Sequence, residues 1–343
     1  MSAQTGTPTL HDVHHAQAFF LRSSRTVCVM LSRLFRLMTC SIPVASVSVA
    51  VMAATDTPIL ARQGEVVRIP ITIPASSAQP IETATCRWDG KPVACFKTET
   101  GWVAWVGIDL DHPEGTTPLR VAWQAGKAAG FLTYPITVRP ASFGSQTLTL
   151  PKDKDDLSAA TLKRIEKEAE LFAALWDSRD GQWSASPCWV EPFITPVSGK
   201  PSGTFGRRRI INGLPRNSHT GEDIPAPPGT PVAATNAGVV ALTGEFYFNG
   251  HSVVIDHGAG LLSMYFHLRD ITVAFGERVA RGTVVGHVGQ SGRATGPHLH
   301  WGVRLGGARI DPFSLIDIQD TPLFPSGEDP LGRSQKKWLM TNC

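Results

Sequence analysis

Charge is scarce in this chain. Lys, Arg, Asp and Glu make up 18% of its 343 residues and leave a formal net charge of +3. No basic stripe with interleaved aromatics occurs, so no nucleic-acid partner is expected. Long amphipathic repeats are missing, as is any internal repeat of fixed period, which excludes solenoids and long coiled coils. Turn formers are plentiful instead: 32 Gly and 26 Pro lie scattered among β-branched residues. That mixture predicts a mainly β protein with many turns, and the length allows two or three domains.

The first 55 residues read as a signal or targeting segment. From Met30 the chain runs Met-Leu-Ser-Arg-Leu-Phe-Arg, then an apolar stretch over 37–54 that ends Val-Met-Ala-Ala before Thr55. Positive, apolar and small residues in that order form a secretory signal. At about 18 residues the stretch also approaches a spanning length. Its Ser, Thr and Pro content suits a cleaved leader better than a retained anchor. The protein is therefore expected to be exported, to the periplasm or cell envelope. Residues 1–29 have no assignable role. Cys28 and Cys40 would leave with the leader, while Cys86, Cys95, Cys188 and Cys343 remain. In an exported chain these permit three disulfide connectivities. Cys86 and Cys95 flank the turn Trp88-Asp89-Gly90-Lys91-Pro92, which predicts a bridge across a hairpin. Cys188 and Cys343 stay open between pairing and free thiols.

Residues 56–140 alternate apolar and polar side chains in short runs, among them Val66-Val67-Arg68-Ile69 and Trp102-Val103-Ala104-Trp105-Val106. Several such runs at near-regular spacing suggest a small immunoglobulin-like β-sandwich. It holds no His, Asp and Glu cluster and is expected to be a spacer, or a module that docks an envelope protein. A linker and helix follow over 141–185. The helix, 158–176, shows apolar residues at Leu162, Ile165, Ala169, Phe172 and Trp176, with charge on its other face. It is read as a brace between two β domains. Strands resume over 186–316, and 317–343 reads as a loosely attached tail.

Chemistry concentrates in that second β region. In Thr295-Gly-Pro-His298-Leu-His300-Trp301-Gly302 the alternation predicts a strand that points both histidines one way and Leu299 and Trp301 into a core. Two imidazoles on one face make a corner of a metal site. His219-Thr-Gly-Glu-Asp223 supplies further donors; the prolines at 225, 227 and 228 rule out a helix there, so a loop entering a strand must aim them. Nitrogen and oxygen donors of this kind suit Zn2+ with one position left for water. His251 to Asp256 and Leu261 to Leu268 predict a hairpin that carries His267 toward His298. His257, before Gly258-Ala259-Gly260, reads as a turn residue. No His-Glu-x-x-His helix exists, which excludes a thermolysin-type arrangement. Nor is there a Gly-x-Ser-x-Gly elbow.

Taken in order, Phe205-Gly-Arg, His219-x-Gly-x-Asp223, Ala226-x-x-Gly-Thr-Pro-Val, Gly238-Val-Val, Ile255-Asp-His-Gly, Tyr265-x-His267-Leu, Gly286-x-Val-Gly, Thr295-Gly-Pro-His298-Leu-His300 and Asp311-Pro312 resemble the zinc endopeptidases typified by lysostaphin and LytM. The resemblance covers 186–316, over a third of the chain. It implies a LytM-type antiparallel β peptidase domain with Zn2+ as cofactor, held by His219, Asp223 and His300. It implies that His267 and His298 flank the attacking water and the scissile carbonyl. The expected activity is that of an exported zinc metalloendopeptidase acting on peptide stems or cross-links of peptidoglycan. The alternative is a catalytically silent relative that activates or binds an envelope partner. Should the β module or linker cover the groove, truncating 56–185 would raise activity. The oligomeric state is not legible in the sequence.

Overall fold

The computed structural model describes residues 50–53, 57–72, 80–98, 101–149, 158–176 and 186–318. The remainder of the expected leader, Cys343 and all of the tail beyond Ile318 lie outside the described residues. Among the described residues, no helix is long and apolar enough to cross a membrane.

The first module contains β1 (Ala50–Ala53), β2 (Ile59–Arg62), β3 (Val66–Ile71), β4 (Thr83–Trp88), β5 (Lys91–Thr98), β6 (Gly101–Gly107), β7 (Gly115–Ala125) and β8 (Ala128–Arg139). They form one sheet in the order β1-β8-β7-β4-β5-β6-β3, with β2 also beside β8. Alternation along β4, β7 and β8 turns Cys86, Leu119, Val121, Leu132 and Ile136 inward, and β3 and β6 add Ile69, Ala104 and Val106 to the same core. Ala50 to Ala53, inside the expected leader, pair in parallel with β8.

The predicted hairpin disulfide is absent: Cys86 and Cys95 are free thiols. The register places Cys86 opposite Val93, so Cys95 sits on the diagonal rather than directly across. A hydrogen bond with Cys95, together with burial, pushes the Cys86 thiol well up. Cys188 is disulfide-bonded.

Next come β9 (Ser145–Leu148) and α1 (Ala159–Trp176), then β10 (Arg208–Ile211) and β11 (Leu214–Arg216). β9 runs parallel to β10, and β11 closes a small three-stranded sheet. Helix α1 has Ser158 at its start, whose hydroxyl accepts the Thr161 N–H at 3.2 Å. Of the expected apolar stripe only the C-terminal half finds a surface. Phe172, Leu175 and Trp176 pack on Val254, Leu262, Met264 and Phe266, whereas Leu162 is half exposed. Glu168 fixes the helix by accepting the Tyr247 N–H at 2.8 Å. α1 is thus chiefly a cover for the outer face of the second sheet. Its end alone braces the junction, where Trp176 and Trp88 line one crevice.

That second sheet holds β12 (Gly221–Pro225), β13 (Pro231–Ala233), β14 (Gly238–Phe246), β15 (Gly250–Asp256), β16 (Leu261–Ile271), β17 (Arg278–Val279), β18 (Val284–Val288), β19 (His298–Leu305) and β20 (Ala308–Ile310), followed by the short α2 (Pro312–Asp317). Its main path is β12-β19-β16-β15-β14-β17. The Asp311 carboxylate caps α2 by accepting the Phe313 N–H at 2.9 Å, with Pro312 in the first turn.

The two β regions share a core. Val66, Phe96, Val103 and Trp105 of the first module join Trp189, Phe193, Trp301 and Leu305 in a single buried cluster, with the Trp105 and Trp189 rings 5.5 Å apart. Arg309 donates to both oxygens of Asp109 across the same junction. A module fastened this way is a structural wall, so the expectation of higher activity on removing it meets a physical obstacle: truncation uncovers Trp189 and Phe193.

Candidate metal centre

Register sets the site. β12 pairs with β19 so that Asp223 stands opposite His300 and Glu222 opposite Trp301. On its other flank His300 stands opposite Phe266 of β16, and those two rings stack with centroids 5.4 Å apart and planes 3° from parallel. Slipping either pairing by one residue would turn His300 into the core. Leu299 and Trp301 are fully buried on the opposite face, as the alternation predicts. His219 enters from the loop before β12, and its Nδ1–H donates to the Thr204 carbonyl at 3.1 Å. That bond turns the Nε2 lone pair inward.

Three donor atoms meet. His219 Nε2 lies 2.8 Å from His300 Nδ1 and 3.2 Å from Asp223 Oδ1, and His300 Nδ1 lies 3.0 Å from the same oxygen. Bond lengths of about 2.0–2.1 Å in a tetrahedral zinc site put neighbouring donors about 3.3 Å apart. The trio fits that requirement with a small opening. Among the described residues it is the one group of three or more His, Cys, Asp or Glu residues able to hold an ion. Burial pushes His300 down to about 4 and His219 below the ordinary imidazole range. Both are therefore neutral, as ligands must be. Burial alone would raise the Asp223 carboxyl, but the close approach of the His219 and His300 rings outweighs it and holds the carboxyl well below its ordinary range.

The two other predicted histidines stand beside this trio. The His267 and His298 rings are 4.8 Å apart, and His298 Nε2 lies 3.6 Å from Asp223 Oδ1. Each donates Nδ1–H to a main-chain carbonyl, His267 to Ser291 at 2.9 Å and His298 to Gly296 at 2.8 Å. That leaves both Nε2 atoms as acceptors. Burial, reinforced by His300 and His298, pushes His267 down to about 3. His267 also has a φ of 61°, a left-handed backbone uncommon for a side chain of this size and typical of strained functional positions. His257 lies in the turn between β15 and β16, as expected. It is fully buried, bonded to the Ala237 carbonyl and the Ser263 hydroxyl, and belongs to the fold.

Sequence reasoning missed three contributors. Glu222, only 2% exposed, accepts the N–H groups of Thr204 and Phe205 at 2.8 and 3.0 Å, which fixes the loop whose carbonyl holds His219. Gly221 leaves room for His300, since a Cβ there would lie 2.6 Å from His300 Nε2. Arg209 of β10 reaches to 3.7 Å from Asp223 Oδ2. The alternation of β12 put Glu222 on the face opposite Asp223, which was a usable signal; nothing local marked Arg209.

His219, His300 and His267 line a groove of about 580 Å3, whose walls include Arg216, Phe248, Asn249 and Arg293.

Known proteins share this region. The profile of Peptidase family M23 matches residues 217–312. The DD-carboxypeptidase/endopeptidase Mpg of Neisseria meningitidis serogroup B is 43% identical over 126 residues, 37% of this chain and 28% of that protein. Peptidoglycan DD-endopeptidase ShyA of Vibrio cholerae is 41% identical over 119 residues, 34% of this chain and 28% of that protein. The chain thus spans under a third of the length of these curated relatives. A crystal structure from Pseudomonas aeruginosa assigned to peptidase M23 superposes with a TM-score of 0.55 at 33% identity, over 78% of this chain and 97% of that one. A relative matched at that identity along nearly its whole length shows the kinship: this chain belongs to peptidase family M23.

Proposed function

We propose that this protein is an exported zinc endopeptidase that cleaves peptide bonds in peptidoglycan stems or cross-links. The observation that carries the reading is a five-residue constellation: His219, Asp223 and His300 within bonding reach of one ion, with His267 and His298 presenting acceptor nitrogens beside them. The name of the Vibrio relative supports peptidoglycan as the substrate. That polymer lies outside the cytoplasmic membrane, in keeping with the leader expected over 1–55.

His219, Asp223 and His300 would hold the Zn2+. When bound, it supplies Lewis acidity toward the peptide carbonyl and toward water. The protein supplies the rest. With only one carboxylate and two neutral imidazoles among them, these ligands would leave a bound Zn2+ a net positive charge that favours a developing oxyanion. Between them, the Nε2 atoms of His267 and His298, left free by the Nδ1 bonds, accept one proton from the attacking water. The ring that holds it stabilises the tetrahedral oxyanion and returns the proton to the leaving amine. The main-chain carbonyls of Ser291 and Gly296 keep both rings in the tautomer that the first of these steps needs.

A silent activator is the weaker reading, because all five side chains are in place. The test is digestion of purified sacculi by the full chain, with casein as a protein control. Release of soluble muropeptides with new amino termini is the expected result. Cleavage of casein with intact sacculi would replace the wall substrate by a protein, and no cleavage of either by zinc-loaded protein would favour the activator.

A further inference from the structure

His267 keeps a backbone that a β-strand does not offer by itself. Its φ of 61° lies in the left-handed region. Both it and the preceding Phe266 line the groove, although strand neighbours normally face opposite sides. A side chain of this size stays in such a conformation only where its surroundings hold it there. Two contacts do so. The Ser291 carbonyl accepts the ring Nδ1–H at 2.9 Å, and the Asn249 carbonyl accepts the main-chain N–H at 2.8 Å. Ser291 is fastened within the second sheet: its hydroxyl accepts the His251 N–H at 2.9 Å and donates to the Leu268 carbonyl at 2.7 Å. Asn249 is fastened from outside that sheet. It ends the turn 247–249 between β14 and β15, and the N–H that opens this turn, that of Tyr247, donates to Glu168 Oε2 of α1 at 2.8 Å.

The carboxylate is aimed by a residue one helical turn back. Arg164 Nε donates to Glu168 Oε1 at 2.6 Å, which leaves Oε2 to Tyr247. Arg164 also donates to the Glu245 carbonyl at 3.2 Å, so the pair grips the end of β14 and the turn together. One turn further along α1, the Phe172 ring meets Phe246 and Phe266 edge-on, with centroids 4.9 and 5.9 Å apart. The helix is thereby pinned where the turn needs it. We propose that Glu168 is a positioning residue for catalysis: through the turn 247–249 it sets the backbone of His267. A helix that lies ahead of the matched region 217–312 thus completes the active site. This rests on the endopeptidase reading, in which His267 takes part in proton transfer.

The experiment measures kcat and KM separately for the zinc-loaded full chain on a dimeric muropeptide. Misplacing a reacting group by about 1 Å costs up to about 100-fold. Glu168→Ala should therefore lower kcat by about 10- to 100-fold, with KM within about 3-fold and zinc content unchanged. Glu168→Gln keeps an acceptor for the Tyr247 N–H and should recover most of the loss. Glu166→Ala, exposed on the same helix, is the control and should match the wild type. Hydrogen exchange read by mass spectrometry on the same samples should quicken in Glu168→Ala for peptides covering 247 and 267, and stay unchanged over β12. Wild-type kcat or unchanged exchange at 267 in Glu168→Ala, or a loss that Glu168→Gln does not recover, would overturn the inference while leaving the endopeptidase reading intact. No cleavage by the wild type would remove that reading, and the inference with it.

Discussion

Gly221→Ala is a one-methyl perturbation aimed at the metal centre from outside its ligand set. An ideal Cβ at this position lies 2.6 Å from His300 Nε2, 2.9 Å from His300 Cε1 and 2.6 Å from the Trp301 carbonyl oxygen. The last contact is backbone in a strand whose Trp301 is fully buried, so that side cannot yield. Either His300 rotates away or β12 pulls off β19. Overpacking of this kind costs about 1–3 kcal/mol, which lowers Tm by about 2–4 °C per kcal/mol for a chain of this size. A His300 ring pushed off its geometry should weaken zinc about 10- to 100-fold, the range seen when a ligand loses its orientation. Competition against a chromogenic chelator measures the affinity, and thermal melts of the metal-free protein measure the strain. Gly296→Ala is the control, since a Cβ there meets nothing within 4 Å. Unchanged zinc affinity in Gly221→Ala would refute the claim that this glycine makes room for the ligand.

Three further outcomes follow from the geometry. Glu222→Ala strips the acceptor from two buried N–H groups; at about 1.5–3 kcal/mol for a hydrogen bond to a charged group, it should lower Tm and weaken zinc about 10-fold, and full zinc affinity would show that the loop holds without it. His257 supplies a pH dependence. Burial holds it at about 4 against an ordinary 6.5; the unfolded chain thus takes up a proton that the folded one refuses. Stability should fall as pH drops from 6.5 toward 4, by about 3 kcal/mol at about 1.4 kcal/mol per unit, and level off below that. Thermal melts at pH 7 and 4.5 should show a shallower loss in His257→Gln, and equal slopes would refute the assignment. Finally, removing residues 1–157 uncovers Trp189 and Phe193 by deleting Trp105 and Phe96. The fragment should melt well below the full chain or fail to stay soluble, and a melt within about 2 °C would contradict the shared core.

The strand carrying His298 and His300 was legible because period-2 alternation assigns faces without knowledge of partners. The loop origin of His219 was legible because prolines forbid the helix that its spacing to Asp223 would otherwise suggest. What alternation does not encode is which strand lies alongside. Arg209 reaches Asp223 because β9 and β10, about 60 residues apart, pair in parallel, and no local pattern announces that contact. The disulfide expectation failed for the same reason: a hairpin was visible around Asp89-Gly90, but its register, which sets Cys95 on the diagonal, was not. The helix periodicity was right and its destination was not. An apolar stripe says that something must be covered, and only the fold decided that Phe172 and Trp176 would cover the outside of the second sheet. Likewise the run holding Trp105 read as part of a separate sandwich, yet Trp105, with Phe96, completes the peptidase core.

The central claim is that His219, Asp223 and His300 hold one zinc ion while His267 and His298 act beside it. Metal analysis of purified wild type, His300→Ala and His298→Ala, with muropeptide release measured on the same samples, tests it most directly. The account predicts one zinc per wild-type chain, loss of zinc and activity together in His300→Ala, and retention of zinc without activity in His298→Ala. Zinc lost from both variants would mean that the ligands have been misassigned, and a wild-type protein that binds no zinc would contradict the claim outright.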